Sequence, residues 1–128
     1  MYNKIQNNSL DLLLASRYIK NASSEDDTII TLIGNKIFSL IGKIFFKLPI
    51  SDILYTYVMG NTQKILNLNL TQKDFTLCVE LPIKAKKNSL KISDIPSNEK
   101  SRIGGIKKVN EIKDGFLILI HMIKLFFN

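Results

Sequence analysis

Leu10-Asp11-Leu12-Leu13-Leu14-Ala15-Ser16-Arg17-Tyr18 is the stretch on which the fold turns. It is a short, nearly continuous apolar run that breaks into polar residues. That pattern suits a strand buried on both faces, as in a parallel sheet covered by helices, whose C-terminal end delivers polar side chains to a site. A run this brief also fits a buried helical turn, and its surroundings have to choose. Behind it, Asn21 to Asp27 is a polar, acidic loop, and Asp27 or Thr28 is placed to cap a helix.

That helix is expected from Thr28 to Leu48. Ile29, Ile30, Ile33, Ile37, Leu40, Ile41, Ile44, Phe45 and Leu48 recur at intervals of three and four, while Lys36, Ser39, Lys43 and Lys47 form the opposite stripe. Leu32, Phe38 and Phe46 widen the apolar arc beyond one core contact. Two readings fit it: a core helix with a solvated lysine edge, or an amphipathic helix lying in a membrane interface. Pro49 closes the helix. Ile53 to Met59 then reads as a strand, Asn61 to Leu66 as a short helix and Asn67 to Lys73 as a loop. Asp74 to Asn88 has helical spacing, with Pro82 expected to kink or break it. Leu90 to Pro96 alternates as a half-exposed strand, and a last helix is expected from Asp114 to Phe127. Its apolar stretch Phe116–Phe127, twelve residues, falls short of the ~20 needed to cross a bilayer. The strand–helix–strand alternation predicts an α/β domain.

Composition bounds the function. The chain of 128 residues is the size of one domain, and 45% hydrophobic residues suffice for a core. One cysteine, Cys78, excludes an internal disulfide framework and a cysteine-based zinc site. The single His121 leaves no pair of histidines, and packing or an interface is its expected place. The polar start, Met1 to Ser9, has no apolar core of the kind a signal peptide carries. A formal charge of +7 favours anionic partners. The lysines are scattered and the aromatics lie in apolar stripes, so nucleic acid is not the expected partner.

Of the eighteen basic residues sixteen are Lys and two, Arg17 and Arg102, are Arg. In so lysine-rich a background the arginines stand out, because a planar guanidinium grips a phosphate or carboxylate through two hydrogen bonds where an ammonium cannot. Two ordinary surface arginines are the alternative. Asp52, next to the expected strand, could act as a general base, although an isolated Asp more often caps or pairs. Glu80, among Val79 and Leu81, either orients another polar group or marks an exposed helix edge. No GxGxxG, Walker, HExxH or GxSxG motif is present.

Six segments in order carry a resemblance: Asp11 to Tyr18, Gly34-Asn35, Ile50-Ser51-Asp52-Ile53-Leu54-Tyr55, Phe75 to Asn88, Leu90 to Pro96, and Glu99-Lys100-Ser101-Arg102-Ile103-Gly104-Gly105 followed by Asp114-Gly115-Phe116. Together, from about Leu10 to Phe127, they resemble the second half of family 2 glycosyltransferases, in the dolichol-phosphate-mannose-synthase-like (polyprenyl-phosphate sugar transferase) branch. The resemblance implies an incomplete GT-A, Rossmann-like α/β glycosyltransferase domain over residues 1–128, its C-terminal part with amphipathic helices and its nucleotide-binding N-terminal half absent. It implies Asp52 as the acceptor-loop base or organiser, and Arg17 and Arg102 as phosphate or substrate ligands. A nucleotide-sugar donor, a lipid-phosphate acceptor, an N-terminal half-protein and a membrane surface are the implied partners, at the cytoplasmic face of a membrane. The full enzyme is expected to use Mg or Mn, whose Asp-x-Asp ligands this chain lacks. Without that metal the 128 residues alone are not expected to transfer sugar. Tyr55-Thr56-Tyr57 replaces the family's common Ser-Gly-Phe, and Gly105-Ile106 stands where Gly is commonly followed by Ser or Thr. The alternative is a non-catalytic basic protein that binds membranes or a partner.

Overall fold

The apolar run is a strand, and all five of its residues are buried. A computed structural model describes residues 1–105 and 110–128. In chain order the elements are α1 (Tyr2–Asn8), β1 (Leu12–Ser16), β2 (Ser23–Ser24), α2 (Ile29–Phe46), β3 (Val58–Gly60), α3 (Thr62–Leu66), α4 (Leu77–Lys87), β4 (Ile92–Pro96), β5 (Asn98–Glu99) and α5 (Glu111–Phe127). The architecture is mixed α/β. β1 is the middle strand of a three-stranded sheet in the order β3-β1-β4, antiparallel to β3 and parallel to β4. Beyond the ends of β1 and β4, the chain pairs again as the short parallel ladder β2–β5. Both strands of the parallel pair therefore run out toward the same end of the molecule.

Leu12 and Leu14 face a core built with Leu48, Ile53, Val79, Ile83, Ile118 and Met122. Burial of each such side chain contributes about 1.5–3 kcal/mol before the ordering entropy. α4 packs against α5, α2 and β4. α2 begins where the capping signal lies, with the Thr28 side chain accepting from the Thr31 N–H. It ends in a left-handed residue, Lys47, with the Leu48 N–H returning to the Gly42 carbonyl. Gly42 packs closely there: a Cβ would sit 3.0 Å from Leu48 Cδ1 and 3.1 Å from Ile53 Cδ1, so those side chains would have to shift to admit one.

Two expectations change, and one segment without an expectation proves helical. The strand expected over Ile53 to Met59 is confined to β3: the Tyr57 carbonyl still accepts from the Ala15 N–H of β1, but the Ile53 N–H donates to Ser39 Oγ instead of to a strand. Pro82 does not break α4, which runs continuously through it. Its removal of one backbone hydrogen bond costs about 3 kcal/mol, which burial of Cys78, Val79, Leu81, Ile83 and Ala85 offsets. The polar start of the chain forms α1, and Lys4 Nζ reaches the Asp94 carbonyl at 2.7 Å.

The orientation of α2 is the largest departure. Its buried residues are Asn35, Ser39, Gly42 and Phe46. Ile33, Ile37, Leu40 and Ile44 are each more than half exposed, at 52–61%. The helix lies on the domain through its small and polar stripe and turns its aliphatic stripe outward. Neither sequence reading anticipated that arrangement in full. Asn35, Ser39, Gly42 and Phe46 are spaced 4, 3 and 4 apart, a helical stripe in their own right.

Candidate functional site

Where β1 ends, its last residues turn toward α2 and toward the loop between α2 and β3. Asp52, in that loop, is 1% exposed. Its Oδ2 accepts from the Arg17 N–H at 3.1 Å and from Arg17 Nε at 2.8 Å, and its Oδ1 from Arg17 Nη2 at 3.1 Å. Asn35 Nδ2 donates to the same Oδ1 at 2.5 Å, and Ser39 Oγ donates to Asn35 Oδ1 at 3.1 Å. The buried stripe of α2 is thus a hydrogen-bonded ladder onto Asp52. An adjoining layer fixes the loop itself: Asp94 Oδ2, on β4, accepts from the Ser51 N–H and Oγ at 2.9 and 2.6 Å, and Ser51 Oγ lies 2.7 Å from Ser16 Oγ.

Arg17 is buried and directs its fork inward. Beyond Asp52, its Nη1 donates to Asp27 Oδ1 and Glu99 Oε2, both at 3.1 Å. Its guanidinium lies against the Tyr55 ring, with Cζ 4.5 Å from the centroid, and 5.2 Å from that of Tyr18. Burial works against the charge, but Asp52 and then Glu99 outweigh it and raise the Arg17 pKa above its ordinary value. Burial first, and then its hydrogen bond to Asp27, raise the Tyr18 pKa as well. Asp27 and Glu99, far apart in sequence, meet because β2–β5 pairing sets Glu99 of β5 beside the loop that follows β2. Removing one member of such a buried cluster leaves an uncompensated charge, at a cost of about 3–5 kcal/mol.

Beside this cluster lies an open cavity of about 360 Å³. Arg17, Asp27, Tyr55 and Glu99 form its inner wall; Thr31, Gly34 and Phe38 of α2 and Asp114, Gly115 and Ile118 of α5 form its sides. Arg102 and Asp26 stand at the cavity too, paired through Nη2 and Oδ2 at 3.2 Å. Gly115 leaves space that the Phe38 ring approaches, at 3.9 Å from where a Cβ would lie.

The residues singled out from sequence therefore fall at one place. Arg17, Arg102 and the Asp52 loop meet at the C-terminal edge of the parallel pair β1–β4, the edge where ligands bind in open α/β sheets. Their partners differ from expectation. The bidentate grip expected of Arg17 on a phosphate is made on Asp52, and Asp52 is buried with both oxygens occupied, so it is not an exposed carboxylate. Arg102, with its side chain 40% exposed, is the arginine open to solvent. The described cavity wall carries five carboxylates, Asp26, Asp27, Glu99, Glu111 and Asp114, against the two arginines. Lys107 and Lys108, next in sequence, lie outside the described residues, as does Ile106. Among the described residues no three His, Cys, Asp or Glu side chains are grouped to hold a metal ion.

Asn35, Ser39, Asp27, Glu99 and Asp94 were not singled out as site residues. A polar residue inside an apolar helix was the available signal for Asn35, repeated four residues on by Ser39. Asp27, Glu99 and Asp94 had none, because only the strand pairing brings them in.

The other polar residues noted in the sequence lie elsewhere. Glu80 is fully buried in α4, accepts from the Thr71 and Gln72 N–H groups and the Thr71 hydroxyl, and pairs with Lys84 at 2.8 Å. Burial would raise its pKa, but Lys84 and these N–H groups together lower it to about 2. It orients the loop before α4, one of its two expected roles. His121 is half-buried on α5, and its Nε2 has no hydrogen-bond partner among the described residues. Burial pushes the Cys78 thiol up to about 12. In comparisons with known proteins, no family model, no curated protein and no solved structure matches the chain.

Proposed function

We propose that this chain is the acceptor-side part of a membrane-associated, family 2-like glycosyltransferase of GT-A type, which moves a sugar from a nucleotide-sugar to a polyprenyl phosphate or similar lipid acceptor. One observation carries the reading. Segments that resemble that family, from 17 to 102 in sequence, converge on a single cavity at the C-terminal edge of parallel strands. Arg17 lines that cavity and is held from behind by Asp52, which Asn35 braces in turn, while Arg102 is its solvent-open cation. Asp52 positions the acceptor side of the site through Arg17 and Tyr55, and sugar transfer needs a donor-binding half carrying the Asp-x-Asp motif.

The test is to translate, in all frames, the DNA upstream of the Met1 codon, and to join any segment encoding Asp-x-Asp to this chain. The joined protein is expected to transfer labelled sugar to a polyprenyl phosphate, and Arg102→Ala to lower that transfer at least tenfold with the fold intact. No such segment, or a joined protein inactive with every nucleotide-sugar, would overturn the reading. A second reading then leads, that of a non-catalytic basic protein. It is favoured by the closure of Asp52 and Arg17 on each other.

A further inference from the structure

The outward arc of α2 continues into α5. Ile33, Ile37 and Ile44 project from the side of α2 opposite its buried stripe, and Phe116, Ile123 and Phe127 from the side of α5 opposite buried Ile118, Met122 and Leu125. The two helices run in the same direction, since Thr31 meets Glu111 at one end and Phe45 meets Phe126, ring centroids 5.7 Å apart, at the other. Their exposed arcs therefore form one apolar face. Lysines border it on both sides: at 100° per residue Lys36 and Lys43 fall beside the aliphatic arc on the flank of α2 away from α5. Lys113 and Lys124 fall likewise on the flank of α5 away from α2. α2 contains no acidic residue, and the two in α5 point away from the face, Glu111 to Thr28 and Thr31 and Asp114 to the cavity.

We infer that this two-helix face lies flat on an anionic lipid surface. Apolar side chains between lysine borders match the acyl–headgroup boundary of such a membrane. A second copy of the chain would oppose lysine borders to lysine borders, a like-charge arrangement that disfavours pairing. α2 is long and apolar enough to be considered a span, but Asn35 and Ser39 tie it to Asp52 and to the Ile53 N–H, so it enters the interface without leaving the domain. The inference rests on the membrane-associated part of the proposed function and not on sugar transfer.

The test is co-sedimentation of the full chain with vesicles of phosphatidylcholine alone or with about one-third phosphatidylglycerol. The chain is expected to pellet with the anionic vesicles and to be released by 0.5 M salt. Each lysine changed to Gln among Lys36, Lys43, Lys113 and Lys124 is expected to weaken partition about fivefold. Ile37→Ser with Phe116→Ser is expected to weaken it more than tenfold, with an unchanged circular dichroism spectrum. Equal binding to both vesicles, or a chain that stays in the supernatant, would overturn the inference. So would a dimer in light scattering that these serine substitutions dissociate while vesicles are ignored. Because partition is read without any donor or acceptor, vesicle binding without transfer by the joined enzyme would overturn the catalytic reading alone.

Discussion

α4 and α2 invert each other. α4 is the more polar helix, with four charged residues in eleven and a proline inside, yet seven of its residues are buried. α2 is rich in isoleucine and phenylalanine, and four of its eighteen residues are buried, three of them Asn35, Ser39 and Gly42. Apolar content does not decide which helix fills the core. What decides is which stripe finds complementary groups beneath it: Glu80 finds the N–H groups of Thr71 and Gln72, and Asn35 finds Asp52. The aliphatic stripe of α2 is left for another surface.

The comparison breaks most sharply at Asp52. Asp52→Ala removes the anchor of the α2 stripe and the main counter-charge of Arg17, and is expected to destabilise the chain by about 3–5 kcal/mol in urea unfolding. A cost below 1 kcal/mol would mean that α2 is not held by this network. Next comes one substitution type applied to both helices. Ile83→Ala in α4 is expected to cost about 2–5 kcal/mol, and Ile37→Ala in α2 no more than about 0.5 kcal/mol. Equal costs would erase the distinction. Asn35→Leu makes α2 more apolar, yet it is expected to cost about 1–3 kcal/mol, since it leaves Asp52 Oδ1 short of a donor. Stabilisation by that substitution would contradict the inward polar stripe.

Glu80 sharpens the α4 side. Its folded pKa of about 2 lies below the ordinary 4.5, so its contribution is fully present above the unfolded value. It is lost as pH falls from about 4.5 toward 2. The difference in stability between wild type and Glu80→Gln should shrink across that window, and a pH-independent difference would show that the charge of Glu80 is not what the loop binds.

Much of this was legible in the sequence, and the misses share a cause. The buried parallel strand, the helix from the Thr28 cap, the short helix after Asn61 and the strand ending at Pro96 follow from local periodicity and capping, and the structure has them all. Periodicity marks the aliphatic stripe of α2 and sets Lys36, Ser39, Lys43 and Lys47 opposite it, but the inward stripe is Asn35, Ser39, Gly42 and Phe46, because burial there depends on Asp52, seventeen residues from Asn35. The strand expected at Ile53 is absent for the same reason: its N–H is taken by Ser39. The backbone cost of Pro82 is visible in the local sequence, whereas the core contacts that outweigh it are not local. Arg17, Arg102 and Asp52 were legible as site residues through their chemical type, whereas Asp27 and Glu99 depend on a ladder of two-residue strands with little local signature.

The inward polar stripe of α2 is the claim on which both the site and the membrane face depend, and cysteine accessibility tests it most directly. The native Cys78 is buried with its pKa raised to about 12, which makes it a quiet background. In the lipid-free chain, Ile37→Cys should react with a thiol reagent about as fast as a free peptide cysteine, and Ser39→Cys should be strongly protected. Fast labelling at 39 with protection at 37 would mean that α2 packs through its aliphatic stripe, and would contradict the account.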